Sequence, residues 1–461
     1  METIMFAMRR YLIAAVAALL LVTACESEEG AGEYAPPVEE PAVEESPAVT
    51  GAGQPPAGGE LCPNGEEIRE KWDLWACGTR LRGANLYQRR VYPELDGPEF
   101  MGPGPVGPPV VQADFDRLAA LGANYVNLSH PGLFAENPPY EPDPDIEANL
   151  DHLIEMAARA DLFVVISFRT GPGRAEFGFM IEDVGDWFDE SYLNDSVWED
   201  RDAQAAWAGM WRYTAERYRH NPVVAGYDLM VEPNAGALLF EIYDPEEFYA
   251  SYAGTTYDWN QFYPPIVEAI REVDPDTPLL VGAMGHSAIA WLPYLQPTDD
   301  PRTVYTFHQY EPIMYTHQEP GLFGNLPNTY PGEFDLDWDG EPETFDRGWL
   351  EDLLTTADGF RASHGVPVAV NEFGVMRWEP GAAAFMDDEM AIFEELGLNY
   401  ALWEWEPSWE PLLEDSLAFN FRLGPDPDNR TDPVPNDLTD AIVSCWERNS
   451  VRPSNVGFGT P

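Results

Sequence analysis

Two glutamates stand where short apolar stretches end, and this position suits chemistry better than packing. Glu232 follows the apolar run 223–231 and precedes Pro233, a residue that interrupts strands. Glu372 follows a second run, 366–371, about 140 residues later. An unpaired carboxylate buried in a core is costly, whereas the strand ends of a parallel barrel deliver catalytic groups. The two glutamates therefore predict one site that is built from both.

Two carboxyl groups that face one another can cleave a glycosidic bond. One of them donates a proton to the leaving oxygen, and the other stays ionised to attack the sugar or to activate water. This division of labour requires environments that push the two pKa values apart. For either glutamate alone, a capped turn or an ion pair with an arginine is an equally good reading, so the interpretation depends on the pair.

Five further side chains lie at or near predicted strand ends. His308 and Tyr310 stand two residues apart after a short apolar run. His308 alone is typical of a buried core histidine, but its strand-end position favours a place in the site. Trp403 and Trp405 share one strand face by the two-residue period, so stacking on a sugar and core packing are both open for each. Arg169 begins a long segment, where a substrate contact and an ion pair with an acid are both open.

The elements that must position these residues alternate between strand and helix from residue 81 onward. Eight apolar strands are predicted at 82–87, 125–128, 162–168, 223–230, 279–282, 304–307, 368–370 and 400–405. Helices are predicted between most of them, at 113–121, 145–160, 201–219, 257–273, 347–364, 382–396 and 438–446. This order predicts an α/β fold, a single (β/α)8 barrel with long loops after the strands. No glycine-rich phosphate motif follows the first strand, which disfavours a dinucleotide-binding sheet. The long segments 171–200 and 311–346 are predicted to wall a cleft.

The motifs resemble glycoside hydrolase clan A, and family five within it most closely. In that family an Asn-Glu-Pro after strand four carries the acid/base, and a glutamate after strand seven attacks the anomeric carbon. Val231-Glu232-Pro233 and Asn371-Glu372 stand at these two places. The resemblance spans most of 81–446 and implies that Glu232 is the acid/base and Glu372 the nucleophile. It also implies residues that orient the nucleophile and bind the sugar, in a His-x-Tyr after strand six and a Trp after strand eight: His308, Tyr310, and Trp403 or Trp405.

Three positions depart from the family pattern. The family's Asn before the acid/base bonds the sugar 2-hydroxyl, and Val231 replaces it here. Asn127 stands where an Arg is usual after strand two, and strand three ends at Arg169 where a His is common. We expect Asn127, Arg169, Asn234 and Asn371 to contribute the substrate contacts that these changes remove. If they do not, activity is reduced, and a glycan-binding protein without catalysis remains open.

Residues 1–24 have the features of a targeting segment. Arg9 and Arg10 form a basic start, an apolar run too short to span a membrane comfortably follows, and 22–25 read Val-Thr-Ala-Cys. The pattern resembles a bacterial lipoprotein signal peptide, in which cleavage precedes a cysteine that is then lipidated. We therefore expect Cys25 to carry lipid and the protein to be exported; a plain secretory signal with a chance cysteine is the alternative.

Three regions follow from this organisation. The segment 25–60 contains the expected lipidated cysteine and a run rich in Pro, Glu, Ala and Gly, which cannot bury enough apolar surface to fold. We expect it to be a tether that holds the domain at the cell envelope or cell surface. The barrel domain is predicted at 61–455. Among its cysteines, Cys62 and Cys77 are the local choice for a disulfide, and Cys445 is an alternative partner that could tie the ends of the domain together.

The charge balance limits the partners. The chain has 81 acidic and 25 basic residues and a formal net charge of −56. Nucleic acid binding needs clustered Lys and Arg, so nucleic acid is excluded, as is electrostatic docking to anionic lipid. We expect membrane contact through the lipid anchor only, and a monomer. An acidic surface suits a salty medium that screens its self-repulsion, and a genomic compositional bias explains it equally well.

One acidic stretch has the spacing of a calcium loop. Asp335, Asp337 and Asp339 precede Gly340 in the order Asp-x-Asp-x-Asp-Gly. Paired helices do not flank the stretch in the predicted pattern, and Pro342 interrupts it, so a solvated acidic loop is favoured over a structural calcium site. The reaction predicted from the carboxyl pair requires no cofactor.

The sequence as a whole predicts a surface-tethered, retaining β-glycosidase that hydrolyses β-linked glucan or mannan, with endo action favoured. A transglycosylase uses the same residues and differs only in whether water or a sugar hydroxyl accepts the glycosyl unit. A glycan-binding surface lipoprotein without catalysis is the alternative from another class, and Val231 is the residue that motivates it.

Overall fold

Eight parallel strands close into a barrel in which the first strand pairs with the last. The computed structural model describes residues 67–97, 99–318, 327–336, 341–410 and 417–458. Closure brings Gly83 opposite Ala401 on one side and opposite Tyr125 on the other. The strands are β1 Arg82–Tyr87, β2 Tyr125–Pro131, β3 Phe163–Thr170, β4 Val224–Asp228, β5 Leu279–Gly282, β6 Thr303–Gln309, β7 Val368–Phe373 and β8 Asn399–Leu402.

Helices connect the strands and cover the outside of the barrel. The main ones are α1 Gln112–Ala120, α2 Pro144–Arg159, α3 Arg201–Tyr218, α4 Trp259–Arg271, α5 Arg347–His364, α6 Ala382–Leu396 and α7 Asp437–Trp446. Between β5 and β6 the 3-10 helix Ile289–Tyr294 takes the place of an α-helix. The predicted (β/α)8 barrel is confirmed.

The long connections carry short elements that the sequence did not predict. The segment 171–200 contains the 3-10 helices Glu176–Asp183, Glu190–Tyr192 and Ser196–Trp198. The connection after β4 contains the helices Gly236–Phe240 and Pro245–Tyr252, and the connection after β6 contains the helix Ile313–Thr316. Two small hairpins pair Arg89–Arg90 with Val106–Gly107, and Gly332–Phe334 with Glu343–Phe345. The remaining short helices are Asp73–Ala76, Pro93–Asp96, Phe421–Leu423 and Pro453–Asn455.

The interior of the barrel is layered from apolar at its base to polar at its catalytic end. Every residue of β2 and β3 is buried, because the outer helices cover one face and the barrel interior the other. At the base, inward residues such as Phe163, Leu280 and Ala369 form an apolar cluster with Trp75 from the short helix before β1. The Trp75 indole donates a hydrogen bond to the carbonyl of Ala225 at 3.0 Å. Further along the same strands, amide and acidic side chains replace apolar ones.

Acidic residues serve as N-caps of the outer helices, which accounts for part of the acidic composition. Asp143, Asp200, Asp258 and Asp346 each accept backbone N–H groups at the starts of α2, α3, α4 and α5. Asp346, next to the predicted calcium loop, is therefore used as a helix cap. The loop itself is not tested, because Asp337 and Asp339 lie outside the described residues and only Asp335 lies within them.

The cysteines and the chain start are described only in part. Cys77 is disulfide-bonded, whereas Cys445 is a free, buried thiol, so it does not tie the ends of the domain together. Cys62, Cys25, the predicted signal peptide and the tether lie outside the described residues, and the domain limits stay predictions. Within the described ranges, no helix combines the length and apolar character needed to cross a membrane.

Two buried asparagines hold the segment that enters β1. Asn399, at the start of β8, accepts hydrogen bonds from the backbone of Arg80 and Leu81 at 2.7 and 2.8 Å and donates to the carbonyl of Leu74 at 2.9 Å. Asn124 plays the matching role from the β2 side, where it accepts from the backbone of Arg82 at 2.9 Å. The closure of the barrel therefore depends on side-chain amides as well as on strand pairing.

Replacing Asn399 by leucine leaves two backbone N–H groups and one carbonyl buried without partners. We expect Asn399→Leu to lower the free energy of unfolding by roughly 3 kcal/mol, because each unsatisfied buried group is costly. Urea unfolding followed by tryptophan fluorescence measures the loss. Asn137→Leu, at an exposed position, is the control and should change stability little. Equal stability of the two variants would contradict the closing role of Asn399.

Candidate active site

Both predicted glutamates lie at the carboxyl end of the barrel. Glu372 is the fifth residue of β7, and Glu232 follows β4 by four residues. Glu232 has a left-handed backbone with φ +50°, a conformation that is strained for a residue with a side chain and is often found at functional sites. Its side chain is 16% exposed, whereas that of Glu372 is 8% exposed. The two carboxyl groups face one small space at the mouth of the barrel.

His308 lies between the two carboxyl groups. Its Nδ1 atom is 3.0 Å from Oε1 of Glu232 and 3.6 Å from Oε2 of Glu372. The hydroxyl of Tyr310 donates a hydrogen bond to Oε1 of Glu372 at 2.9 Å. One oxygen of each glutamate and one nitrogen of His308 all lie within 4.8 Å of one another. The structure therefore brings together Glu232, Glu372, His308 and Tyr310, the four residues on which the sequence interpretation rests.

A buried arginine fixes the backbone that carries Glu232. Arg174, in the long connection after β3, donates to the carbonyl of Val231 at 2.6 Å and to the carbonyl of Glu232 at 2.8 Å. The two terminal nitrogens of the guanidinium thus give each carbonyl of the strained turn a hydrogen-bond donor. The sequence did not predict this contact between Arg174 and the backbone.

His286 is a site residue that sequence reasoning missed. It lies in the turn after β5, where Gly285, His286 and Ser287 have φ of +64°, +59° and +58°. Its Nδ1 atom is 3.6 Å from Oε2 of Glu232, and its Nε2 atom contacts the side-chain amide of Asn234. Two consecutive non-glycine residues in the left-handed region cost of order 1–3 kcal/mol each, which indicates that the surroundings hold this turn in place. The signal in the sequence is weak, a Gly-His-Ser that begins three residues after the end of a strand.

Asn234, a predicted sugar contact, is buried, and protein groups engage its side chain. Its Oδ1 atom accepts the backbone N–H of Ala237 at 3.1 Å, and its amide group contacts His286. The sugar contact stays a prediction.

Asn127 and Asn371 lie in a buried polar layer below the glutamates. Asn127 donates to Asn85 Oδ1 at 2.7 Å and accepts a hydrogen bond from the hydroxyl of Ser167. Asn371 donates to Oδ2 of Asp228 at 2.6 Å. These side chains are buried against one another, so the structure gives Asn127 and Asn371 a supporting position under the site. Their predicted sugar contacts stay predictions.

Arg169 and Trp403 form one wall of the site. The guanidinium of Arg169 lies 5.0 Å from the ring centre of Tyr87, 4.2 Å from that of Phe179 and 5.8 Å from that of Trp403. It also forms an ion pair with Glu176 at 3.2 Å. Trp403 is partly exposed, so one face remains open to a ligand. Of the two alternatives for Arg169, the ion pair with an acid is present, and the substrate contact stays a prediction.

Trp405, the other predicted stacking residue, belongs to the core. It is 1% exposed, its indole donates to the carbonyl of Asp114 at 3.1 Å, and Arg422 covers its ring. The strand β8 ends at Leu402, so the two-residue period that placed Trp403 and Trp405 on one face does not continue through them. Of the two tryptophans, the structure leaves only Trp403 with a face available for a sugar.

The surroundings separate the proton affinities of the two glutamates. Burial raises the pKa of Glu372 to about 7, and the negative charge of Glu232 adds to the effect. Burial also raises the pKa of Glu232, but hydrogen bonds from His286 and His308 and the charge of His308 outweigh it and hold that pKa well below its usual value. Two carboxyl groups this close titrate as a pair. The pair therefore keeps one proton up to about pH 7.

The same three donor atoms could surround a metal ion, since Glu232, His308 and Glu372 offer one ligand each at suitable distances. A metal there would occupy both carboxyl groups and leave neither to carry a proton. A proton-transfer pair and a metal site are thus exclusive uses of this cluster. The hydrogen bond from Tyr310 and the raised pKa of Glu372 fit the proton-transfer use.

A buried carboxyl pair at the mouth of a (β/α)8 barrel defines a glycosidase, an enzyme that hydrolyses O-glycosyl bonds. Residues 98–408 match the family model for cellulase, glycosyl hydrolase family 5. The chain belongs to this family, and it acts on β-linked glycans.

Relatives share the barrel at low sequence identity. Endoglucanase C of Acetivibrio thermocellus is 22% identical over 319 residues, which cover 64% of this chain and 84% of that protein. Cellodextrinase A of Ruminococcus flavefaciens is 22% identical over 267 residues, which cover 58% of this chain and 69% of the relative. Among solved structures, endoglucanase Cel5A from the hyperthermophilic Thermotoga maritima superposes with a TM-score of 0.54 at 18% identity, covering 78% of this chain and 96% of the other. The structural likeness supports the fold.

The pH dependence of hydrolysis should report the proton that the glutamate pair shares. The active form holds one proton, and a group with a raised pKa loses its proton as pH rises through that value. We expect kcat/KM to fall as pH rises through about 7, the pKa of Glu372. Initial rates between pH 5 and 9 measure the profile, and enzyme held at pH 9 and returned to pH 6 should regain full activity. A constant kcat/KM from pH 6 to 9 would be incompatible with a shared proton.

Proposed function

We propose that the protein is a retaining β-glycosidase that cleaves its substrate by double displacement. The observation that carries the proposal is the short distance between the two carboxyl groups. An oxygen of Glu232 and an oxygen of Glu372 lie within 4.8 Å of one another. Retaining enzymes place the two groups about 5–5.5 Å apart, whereas inverting enzymes leave about 6.5–9.5 Å for a water molecule. The short separation favours direct attack by one carboxylate on the sugar.

Glu372 is the proposed nucleophile. Tyr310 donates to one of its oxygens, and Arg169 adds a positive charge nearby, so its ionised form is supported during attack. Trp403 stands on the same side of the site with an open ring face for the sugar. Attack of Glu372 on the anomeric carbon forms a covalent glycosyl-enzyme as the bond to the leaving oxygen breaks.

Glu232 is the proposed acid/base. It protonates the leaving oxygen in the first step and removes a proton from the attacking water in the second. Glu372 has the higher pKa of the two glutamates, because both histidines stabilise the ionised form of Glu232. The first step needs the proton on Glu232, and His308, which faces both carboxyl groups, gives the pair a common contact for that exchange. These groups supply the whole reaction, so it requires no cofactor.

We propose β-linked glucan as the substrate class, with mannan as the second candidate and endo action favoured. Relatives named endoglucanase and cellodextrinase support glucan. Structures of Thermotoga maritima Cel5A with cellobiose and with mannotriose support a site of this architecture that accepts either sugar. A transglycosylase remains the second candidate function, because a sugar hydroxyl can replace water at Glu232. A protein that only binds glycan does not need two buried carboxyl groups side by side, so the pair Glu232 and Glu372 favours catalysis over binding alone.

Wild-type enzyme should release reducing sugar from soluble β-glucans or mannans, measured on a glycan panel at several NaCl concentrations. Proton NMR should show the β anomer as the first product, because two inversions restore the configuration. Glu372→Ala should lose activity by at least about 10⁴-fold, because the nucleophile is gone, and azide should restore turnover of a dinitrophenyl glycoside as the α-glycosyl azide. Asp335→Ala is the control with normal activity.

Several results would contradict this proposal. Initial formation of the α anomer would exclude double displacement. Retention of glycan on an affinity gel without release of sugar would support the binding protein instead. Formation of oligosaccharides longer than the substrate, without release of new reducing ends, would identify a transglycosylase.

We also propose that the protein is exported, lipid-anchored through Cys25 and monomeric. The support is the basic, apolar and Val-Thr-Ala-Cys order of 9–25 and the Pro- and Glu-rich run after it. The net charge of −56 opposes self-association at low salt.

Cells that express the full chain should incorporate labelled palmitate into the protein and retain it in the membrane fraction. Cys25→Ala should abolish the label, because the acceptor thiol is removed, whereas Cys445→Ala should keep it. Label that persists in the Cys25 variant would refute lipidation at this residue.

A further inference from the structure

The turn after β5 holds a histidine against the acid/base. Gly285, His286 and Ser287 are all left-handed, and a side chain at Gly285 would collide with the ring of Trp291. The carbonyl of Ser287 accepts the backbone N–H of His308 at 2.8 Å. The turn is therefore fastened to the residue that contacts Glu232 from the other side.

Hydrogen bonds fix which nitrogen of His286 carries the proton. Oδ1 of Asn234 accepts the backbone N–H of Ala237, so the NH₂ group of Asn234 faces His286. Nε2 of His286 must then accept, and the neutral imidazole carries its proton on Nδ1. Nδ1 is the atom that faces Glu232. It lies 3.6 Å from Oε2, a distance just beyond that of a hydrogen bond. Such contacts commonly tighten when substrate binds.

The two histidines divide the two oxygens of Glu232 between them. His308, with a side chain that is 3% exposed, contacts Oε1, and His286, with a side chain that is 47% exposed, faces Oε2. Val231, the residue before Glu232, is apolar and buried and has no side-chain group to donate to a substrate or to the carboxylate.

We propose that His286, oriented by Asn234, is a positioning residue for the acid/base Glu232 and stabilises its carboxylate as the proton passes to the leaving group. This inference rests on the proposed double displacement. When the O–H bond of Glu232 breaks, the proton goes to the glycosidic oxygen and the electron pair stays on the carboxylate. The Nδ1–H of His286 then meets a full negative charge, so its hydrogen bond is stronger in the transition state than before it.

This role makes the effect of His286 depend on the leaving group. A poor leaving group needs the proton of Glu232, whereas a dinitrophenolate departs without protonation. A residue that only bound the sugar or supported the fold would affect both classes of substrate alike. A larger loss of kcat/KM for the poor leaving group than for the good one therefore identifies a residue that supports proton donation by Glu232.

The experiment compares kcat/KM for phenyl and 2,4-dinitrophenyl β-cellobiosides, or the mannobiosides if the glycan panel selects mannan. His286→Ala should lower kcat/KM for the phenyl glycoside by about 30-fold, less than the roughly 10²–10⁴-fold contribution of a whole acid–base group, because Glu232 itself remains. It should change kcat/KM for the dinitrophenyl glycoside less than about twofold, because that step needs no proton. His286→Gln keeps an N–H donor but places it nearer the position of Nε2 than of Nδ1, so it should recover only part of the loss. Asn234→Ala should show a smaller effect with the same selectivity.

His220→Ala is the matched control, since His220 is exposed at the opposite end of the barrel. Thermal unfolding of each variant checks the fold, and His286→Gln and Asn234→Ala keep the test valid if His286→Ala does not fold. Equal losses on both glycosides, or no loss on either, would overturn the role of His286 while leaving the proposed function intact. A wild-type enzyme that cleaves neither sugar series would instead refute the proposed function, and this inference with it.

Discussion

Two like-charged groups buried within 4.8 Å of each other repel, and the structure around the site is arranged to hold them there. Their repulsion is relieved because the pair keeps one proton to about neutral pH. It is also relieved because donors face both groups, with His308 between them, Tyr310 on Glu372 and His286 beside Glu232. Without that support the two carboxyl groups would move apart or take up a second proton.

The barrel makes such an arrangement tolerable by changing polarity along its axis. Its base is filled with apolar side chains, which supply the buried area that stabilises the domain. Above the base, neutral amides and one acid hydrogen-bond to one another across four strands, as Asn127, Ser167, Asp228 and Asn371 do. Glu232 and Glu372 lie above that layer, at the mouth of the barrel, where their side chains keep 16% and 8% exposure.

The sequence was most informative where a single local feature decided the outcome. Glu232 and Glu372 were identified because a carboxylate that ends an apolar strand has few structural uses, and alternation of strand and helix predicted the barrel. The sequence failed where the answer depended on neighbours distant in the chain. Nothing local shows that Asn234 turns its amide towards His286, or that a turn of three left-handed residues brings that histidine to Glu232. For Trp405 the sequence left stacking and core packing open, because a strand period cannot show where the strand ends.

The short helix that contains Trp75 fills the base of the barrel, on the side opposite the glutamates. The barrel is therefore a packed core and not a pore. A glycan chain cannot thread through it, so substrate enters and product leaves by the same open mouth.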